Sequence, residues 1–310
     1  MAESIKVFAP ATVANVSCGF DVLGFAVDNP GDEVVMRLKK SPGIVISDIK
    51  GDNGRLTRDP EMNTVGVSVS RFLKHIGSNQ GIDIELTKKM PLGSGLGSSS
   101  ASTVAGVFAI NELMGRPLTK EQLLPFAMEG EFIACGSAHA DNVAPCLFGG
   151  FVLVRSYEPL DVVPLPTPGE LYATIIHPHV EVQTKDARGV LKKQISLKDA
   201  VTQWGNVGGL VAGLMKEDYD LIGRSMHDVI IEPVRSMLIP GFYEVKMSAL
   251  AAGALGSGIS GSGPSIFAVS KGEENAKEVG AAMSRVFKGL SIGYDLFISK
   301  VNQKGPVVLG

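Results

Sequence analysis

The stretch Pro91-Leu92-Gly93-Ser94-Gly95-Leu96-Gly97-Ser98-Ser99-Ser100-Ala101 separates a strand-like segment, 82–87, from an apolar segment, 101–114, that predicts a buried helix. Its glycines lack a Cβ, so a ligand can approach the backbone closely. The first turn of the following helix offers N–H groups that have no intrahelical partner and that favour an anion. The hydroxyls of residues 98–100 add donors and an oxygen ligand for magnesium. The stretch therefore predicts a phosphate-binding loop, with ATP as the natural ligand.

This loop is not the common P-loop, GxxxxGK[ST], because residues 91–110 contain no lysine. The negative charge of the phosphates must then be balanced by backbone dipoles and a metal ion, with Lys88 or Lys89 assisting. A flexible Gly/Ser linker is the alternative interpretation. Linkers do not usually end in a buried helix, and phosphate binding is the favoured hypothesis.

Composition excludes several classes of protein. Lys and Arg total 29 against 32 for Asp and Glu, which leaves no basic surplus for binding nucleic acid. No stretch approaches the ~18 uninterrupted apolar residues that a membrane span requires. Three widely spaced cysteines, Cys18, Cys135 and Cys146, form no CxxC pair and indicate neither a disulfide framework nor a zinc cluster. The N-terminal residues show no signal-peptide pattern, so the prediction is a cytoplasmic protein.

The order of the predicted elements indicates the fold class. Strands are predicted at 5–9, 33–38, 44–49, 82–87, 171–176, 266–269 and 293–299. Helices are predicted at 63–75, 101–114, 197–215, 243–252 and 273–287, with a further helix opened by the capping box Thr119–Gln122. This mixed order predicts two α+β domains rather than one doubly wound sheet. The three prolines within 164–169 disfavour regular structure, so the predicted domains are 1–166 and 167–310.

A second glycine cluster, 256–264, contains GxGxxG and raises the alternative of a non-enzymatic or NAD-binding protein. That fingerprint must follow a strand and open a helix. Here a helical segment precedes the cluster and an apolar strand, 265–269, follows it. The context argues against dinucleotide binding.

The 91–101 stretch fits throughout the signature PxxxGLGSSxA and resembles the GHMP kinase family. The resemblance implies a two-domain α+β fold, with an N-terminal domain like ribosomal protein S5 domain 2 and a ferredoxin-like C-terminal domain. It implies that the loop wraps the phosphates of ATP, that Ser99 and Glu131 hold Mg²⁺, and that Asn63 contacts adenine. The 256–264 cluster resembles the family's third motif, which faces the active site from the second domain.

Four further segments, 7–21, 139–150, 184–188 and 231–235, resemble the homoserine kinase branch of this family. The resemblance implies that L-homoserine is the acceptor and that its binding residues are Asn15, Asp21, His139, Asn142, Arg188 and Arg235. These residue types suit an amino acid, whose ammonium needs oxygen acceptors and whose carboxylate suits the planar fork of arginine. The branch also implies a homodimer. Another small-alcohol kinase of the family, of the mevalonate or shikimate type, stays the alternative and would not require paired arginines.

Asp141 has two interpretations. The resemblance to mevalonate kinases places it where a general base removes the proton of the acceptor hydroxyl. In the alternative, Asp141 is structural, and Asn142 and Asp21 only orient the hydroxyl, whose proton leaves with the phosphate. The second interpretation is chemically sufficient, because phosphoryl transfer depends mainly on positioning and charge neutralisation.

Overall fold

The computed structural model describes residues 3–136, 138–182 and 184–309. The strands among them are β1 (Ser4–Ala14), β2 (Leu23–Lys39), β3 (Ile44–Lys50), β4 (Gly81–Thr87), β5 (Phe151–Tyr157), β6 (Leu160–Leu165), β7 (Leu171–Pro178), β8 (Gly256–Ile259), β9 (Ile266–Lys271), β10 (Tyr294–Lys300) and β11 (Val307–Leu309). The helices are α1 (Thr64–His75), α2 (Ser98–Leu113), α3 (Lys120–Cys135), α4 (Ala140–Phe148), α5 (Thr184–Gly189), α6 (Leu197–Lys216), α7 (Tyr219–Ser225), α8 (Glu232–Arg235), α9 (Phe242–Ala251) and α10 (Glu273–Gly289).

The first sheet has the strand order β11-β1-β2-β4-β3, and β5 and β6 extend it beside β2. Helix α2 lies on β1 and β2 and is covered in turn by α1 and α3, so it is surrounded by protein. Its Ala, Val and Ile side chains are almost all buried, which confirms the predicted buried helix. Burying the helix on all sides in this way fixes the position of its N-terminus, where the 91–101 stretch enters.

The second sheet has the order β10-β7-β9-β8, with β8 and β9 adjacent in both chain and sheet. Helices intervene between β7 and β8, and α10 connects β9 to β10. This β-α-β-β-α-β pattern is that of a ferredoxin-like domain. Helices α9 and α10 pack on the sheet around a core that includes Phe242 and Phe287. The α+β fold class is confirmed. In the part of the chain that the structure describes, no helix combines the length and apolarity needed to cross a membrane.

The predicted elements are present with bounds shifted by a few residues, and the capping box of Thr119 and Gln122 is formed. Three details differ from prediction. The alternation of Ile82, Ile84 and Leu86 with polar residues predicts an antiparallel strand, whereas β4 is antiparallel to β2 but parallel to β3. Pro164 lies inside β6, which is tolerated because β6 pairs only with β5 and needs no donor on its outer side. Strands β5, β6, β8 and β11 and helices α4, α5, α7 and α8 were not predicted from the sequence. Since β11 pairs with β1, the chain returns to the first sheet, and the division at 166/167 stays a prediction.

Candidate active site

A cavity of about 260 Å³ lies where the two glycine-rich stretches meet. Its walls include most of the residues singled out in the sequence: Asn15, Asp21, Gly93, Ser94, Gly95, Gly97, Ser98, Ser99, Glu131, His139, Asp141, Asn142, Arg188 and Arg235. Leu96, Ser100 and Ala101 are instead fully buried and anchor the loop in the core. Residues more than 200 positions apart in the chain thus share one pocket.

The 91–101 stretch forms a loop of left-handed turns. Gly93, Gly95 and Gly97 have φ values of 72°, 77° and 68°, which a residue with a Cβ adopts only with strain. The first helical hydrogen bond of α2 runs from the Ala101 N–H to the Gly97 carbonyl, at 2.8 Å. The N–H groups of residues 98–100 therefore precede the helical ladder and supply partial positive charge to an anion in the cavity.

The second glycine cluster forms the opposite wall. Ser260 Oγ donates to the Gly95 carbonyl at 2.7 Å, and Gly261 and Ser262 line the cavity. The cluster begins as β8, turns, and continues directly into β9. No helix opens after its last glycine, so the structure does not have the strand–loop–helix context of a dinucleotide-binding fingerprint.

Lys88 lies behind the phosphate loop in a buried ion pair with Asp32. Lys88 Nζ also donates to the Ser98 carbonyl and to Ser102 Oγ, each at 2.6 Å. The charge of this lysine is thus matched by a carboxylate. Lys89 pairs with Glu33 outside the cavity wall. Lys88 nevertheless lines the cavity, and the assistance of either lysine in phosphate binding stays a prediction.

Asp32 joins the two ends of the phosphate loop. Its Oδ1 accepts from the N–H groups of Lys89 and Met90, at 2.8 and 3.2 Å, just before the loop. Its Oδ2 accepts from Ser98 Oγ at 2.8 Å, just after the loop. Sequence analysis missed Asp32, because nothing in its local pattern distinguishes it from an ordinary turn residue in the Pro30-Gly31-Asp32 segment.

Ser99 and Glu131 meet at the cavity. Ser99 Oγ donates to Glu131 Oε1 at 3.0 Å, and Glu131 is 3% exposed. A hydroxyl and a carboxylate are both hard oxygen ligands, and Mg²⁺ at a nucleotide site commonly takes one or two protein ligands plus phosphates and water. No group of three or more His, Cys, Asp or Glu side chains suited to a metal occurs in the described ranges. The residues present therefore fit a nucleotide-bound Mg²⁺ rather than a site formed by protein alone.

Charged groups are concentrated at the other end of the cavity. Arg188 donates to both carboxylate oxygens of Asp21, at 3.0 and 3.2 Å, and lies 3.3 Å from His139 Nδ1. Arg235 donates to the carbonyls of Ala187 and Gly261. Burial, with the nearby Arg188 charge, lowers the pKa of Arg235 to about 10 and that of His139 below its usual value. Two cations and one carboxylate thus face the same small volume.

The ring of Phe20 lies under both guanidinium groups, with Arg188 and Arg235 at 5.7 and 4.9 Å from its centroid. Cation–π attraction of this kind offsets part of the repulsion between the two arginines. Phe20 was not singled out in the sequence, since a lone aromatic residue in a turn carries no signal of its own.

The loop that carries Asp21 is fastened by Asn15. Asn15 Oδ1 accepts from the Asp21 N–H at 3.0 Å, and its Nδ2 donates to the Gly261 carbonyl at 2.7 Å. Both residues have positive φ, 72° and 59°. Cys18 in this loop is buried, and burial together with the Asp228 charge raises the pKa of its thiol to about 12. Cys18 is therefore a packed side chain and not a reactive nucleophile; the side chain of Cys135 lies outside the described residues.

Asp141 is buried in the first turn of α4. Burial, with a smaller contribution from the Asp21 charge, raises the pKa of this carboxyl to about 7. Its Oδ1 is buried and accepts no hydrogen bond from the described part of the chain. A carboxyl that changes protonation near neutral pH beside a pocket is suited to proton transfer.

Asn63 is placed differently from the other predicted site residues. Its Oδ1 caps α1 by accepting from the Val65 N–H at 3.1 Å, and its Nδ2 donates to the Thr57 carbonyl at 2.7 Å. It is 4% exposed and does not line the cavity, although its neighbour Thr64 does. The adenine contact of Asn63 stays a prediction.

Comparisons with known proteins support the same family as the loop signature. The models of the GHMP kinases N terminal domain and of the GHMP kinases C terminal domain match residues 63–150 and 210–289. The chain is 52% identical to a homoserine kinase of Chlorobium phaeobacteroides, over 99% of this chain and 100% of that protein.

Solved structures support the same family assignment. The crystal structure of homoserine kinase from Cytophaga hutchinsonii superposes with a TM-score of 0.98 at 69% identity, covering 100% of this chain and 98% of that one. A mevalonate kinase of L. major in complex with R-mevalonate has a TM-score of 0.73 at 16% identity, covering 96% of each chain. The second comparison shows a shared fold alone.

Proposed function

The chain belongs to the GHMP kinase family, and we propose that this cavity is where it acts as a homoserine kinase, transferring the γ-phosphoryl group of ATP to the side-chain hydroxyl of L-homoserine. The products are ADP and O-phospho-L-homoserine, an intermediate on the route to threonine. The observation that carries the proposal is the union, in one cavity, of a phosphate loop with a cluster of two arginines and an aspartate. The phosphate loop suits an anion, and the cluster of arginines and aspartate suits a zwitterionic amino acid.

At the phosphate end, the transferring group carries negative charge on its outer oxygens in the transition state. The N–H groups of residues 98–100 are held by the buried helix α2 and are oriented before the substrate arrives, so they stabilise this charge without reorganisation. Ser99 and Glu131 would hold Mg²⁺, which neutralises phosphate charge when it is bound. These residues therefore supply most of the catalytic effect in the proposal.

At the acceptor end, the carboxylate of L-homoserine binds between Arg188 and Arg235, and its ammonium binds Asp21. Arg188 and Asp21 pair with each other at 3.0 Å, and a zwitterion bound between them would give each of them an opposite charge of its own. Asn15 acts through Asp21 by holding its backbone, and His139 contacts Arg188. An alcohol without both charges would leave these groups unmatched, and this disfavours mevalonate and shikimate as acceptors.

The first prediction tests the acceptor. In a coupled ADP-release assay with Mg-ATP, we expect turnover with L-homoserine and not with mevalonate, shikimate or L-threonine. Arg235→Ala should raise the KM for L-homoserine by roughly 10-fold or more, because a charge-assisted bond to the carboxylate is lost. The KM for ATP should stay within about 3-fold of wild type.

Arg155→Ala is the matched control, because Arg155 is an exposed arginine paired with Asp161 away from the cavity. It should leave both KM values unchanged. Turnover of mevalonate or shikimate instead of L-homoserine would favour the other kinase type and overturn the proposed acceptor.

The second prediction concerns Asp141. If it is the general base, it acts only when ionised, so the wild-type rate should rise with pH and level off above about pH 7, the raised pKa of this carboxyl. Asp141→Asn should then lower kcat by at least ~10²-fold without changing either KM, and the pH step should disappear. A loss of only a few-fold would show that Asp141 is structural and that Asn142 and Asp21 orient the hydroxyl.

Stability provides an independent readout for Asp141. Its folded-state pKa is raised, so the folded protein keeps a proton that the unfolded chain has already lost between about pH 4 and pH 7. The contribution of this carboxyl to the free energy of unfolding is therefore largest at low pH and is lost as pH rises through 7. Asp141→Asn removes this dependence, and urea unfolding at several pH values should show a flatter profile for the variant.

A homodimer is part of the proposal and gives the third prediction. Helix α6 carries exposed apolar side chains at helical spacing, with Leu197, Val201 and Trp204 each more than half exposed, and a second copy of the chain would cover them. Light scattering should give twice the 32.6 kDa chain mass, and Trp204→Glu should shift it toward one chain mass. Met247→Glu, at an exposed site on α9, is the control; a monomeric wild type would contradict the prediction.

A cytoplasmic location stays a prediction of the sequence.

A further inference from the structure

Thr12 is a fully buried residue of β1 that touches both the phosphate loop and α4. Its backbone N–H donates to the carbonyl of Leu96 at 3.0 Å. Its hydroxyl donates to Asn142 Oδ1 at 2.8 Å. Thr12 lies in the 7–21 segment that resembles homoserine kinases, but the sequence analysis assigned it no role of its own.

The same contact gives a second reason for glycine at residue 97, besides its left-handed backbone. A Cβ at this position would lie 2.1 Å from Thr12 Oγ1 and 2.9 Å from Asn142 Oδ1. Gly97 therefore lets Thr12, Asn142 and the start of α2 meet closely. The hydroxyl–amide hydrogen bond is partly buried and lies at the point where the loop becomes a helix.

The hydrogen bond decides which polar groups Asn142 offers to the cavity. A side-chain amide has one oxygen acceptor and an NH₂ group with two donors. Because the oxygen accepts from Thr12, the NH₂ group is the part of the amide left to bind a ligand in the cavity that Asn142 lines. An anion bound by the surrounding loop would attract this NH₂ group and repel an amide oxygen.

We propose that Thr12 is a positioning residue for phosphoryl transfer, which holds the Asn142 amide so that its NH₂ group donates to an oxygen of the transferring phosphoryl group. The inference rests on the proposed function of the cavity and adds a role to it. Asn142 is then a donor only and cannot accept the proton of the acceptor hydroxyl. Its contribution is greatest when charge develops on the phosphoryl oxygens, so it affects kcat more than the binding of either substrate.

Three substitutions test the role through steady-state kinetics. Thr12→Val has nearly the same shape but no hydroxyl, and we expect kcat to fall roughly 10- to 100-fold with both KM values within about 3-fold of wild type. Thr12→Ser keeps the hydroxyl and should restore most of the activity. In an Asn142→Ala background, Thr12→Val should cause no further loss, because the two residues act as one unit.

Thr174→Val is the matched control. Thr174 is also a fully buried strand threonine, and its hydroxyl donates at 2.8 Å to the Ala276 carbonyl in the second domain, away from the cavity. It should lower the melting temperature about as much as Thr12→Val does and leave kcat unchanged. If Thr12→Val does not fold, Thr12→Ala, which introduces no added bulk, should give the same kcat loss and the same unchanged KM values.

A binding measurement separates this inference from the proposed acceptor. ADP with magnesium and aluminium fluoride mimics the transferring phosphoryl group and requires no acceptor alcohol. Calorimetry should show that Thr12→Val weakens binding of this complex about 10-fold or more while leaving the affinity for ADP alone unchanged. Three results would each overturn the role of Thr12. They are a Thr12→Val enzyme whose affinity for the aluminium fluoride complex is unchanged, a Thr12→Val kcat equal to that of wild type, and an equal loss of kcat in Thr12→Ser and Thr12→Val. Lack of activity on L-homoserine would instead overturn the acceptor.

Discussion

Glu131→Gln should reduce kcat by roughly 10³-fold or more, because the carboxylate is the one charged protein ligand proposed for Mg²⁺ and an amide holds a hard cation far less well. The size of the side chain is unchanged and its hydrogen bond with Ser99 can persist, so the fold should be retained. The measurement is kcat as a function of Mg²⁺ concentration. We expect kcat to fall and the Mg²⁺ concentration needed for half-maximal rate to rise.

Glu129→Gln is the control for this substitution. Glu129 lies on the same helix, α3, is half exposed, and pairs with Arg71 at 2.8 Å outside the cavity. The same change there should leave both kcat and the Mg²⁺ dependence unaltered. A Glu131→Gln enzyme that keeps its rate and its Mg²⁺ dependence would show that the metal is held elsewhere.

Asp32→Asn should be the most destabilising of the substitutions considered. Removing one partner of a buried ion pair leaves the other charge uncompensated and costs roughly 3–5 kcal/mol. Here the uncompensated charge would be Lys88, whose side chain is 2% exposed. The free energy of unfolding from urea titration should fall by this amount. The double variant Asp32→Asn/Lys88→Met removes both charges and should recover much of the loss.

The double variant also separates stability from function. Asp32 ties Lys89 and Met90, before the phosphate loop, to Ser98, after it. Even when the fold is recovered, we expect the KM for ATP to rise, because the loop is no longer closed at both ends. Glu181→Gln is the control: it breaks the exposed pair with Arg55 and should cost less than about 1 kcal/mol. An Asp32→Asn protein as stable as wild type would contradict the argument.

The phosphate loop was predictable because its requirements are local. Left-handed turns at residues 93, 95 and 97 need glycine whatever the rest of the fold is, and the helix N-terminus follows directly in the chain. The period-2 alternation of β4 and the apolar composition of α2 likewise report burial on the local element. The short strands β8 and β11 were missed, because three or four residues carry too little pattern and depend on their partner strands.

The acceptor end was reached only through resemblance to a family. Arg188, Arg235 and Asp21 lie far apart in the chain, and each alone is an ordinary charged residue. Chain folding brings Arg188 to Asp21 across 167 positions and Arg235 to the second glycine cluster. No spacing in the sequence encodes these distances.

The sequence by itself determined the fold class, the conformation of the glycine loop 91–101 and the family, because backbone conformation and hydrophobic periodicity are properties of neighbouring residues. Tertiary structure alone decided which charges are matched. Lys88 forms a buried ion pair with Asp32, Arg188 pairs with Asp21, and the Thr12 hydroxyl donates to Asn142. Hydrogen bonding and burial between distant segments set these roles, and both depend on three-dimensional distance rather than on position along the chain.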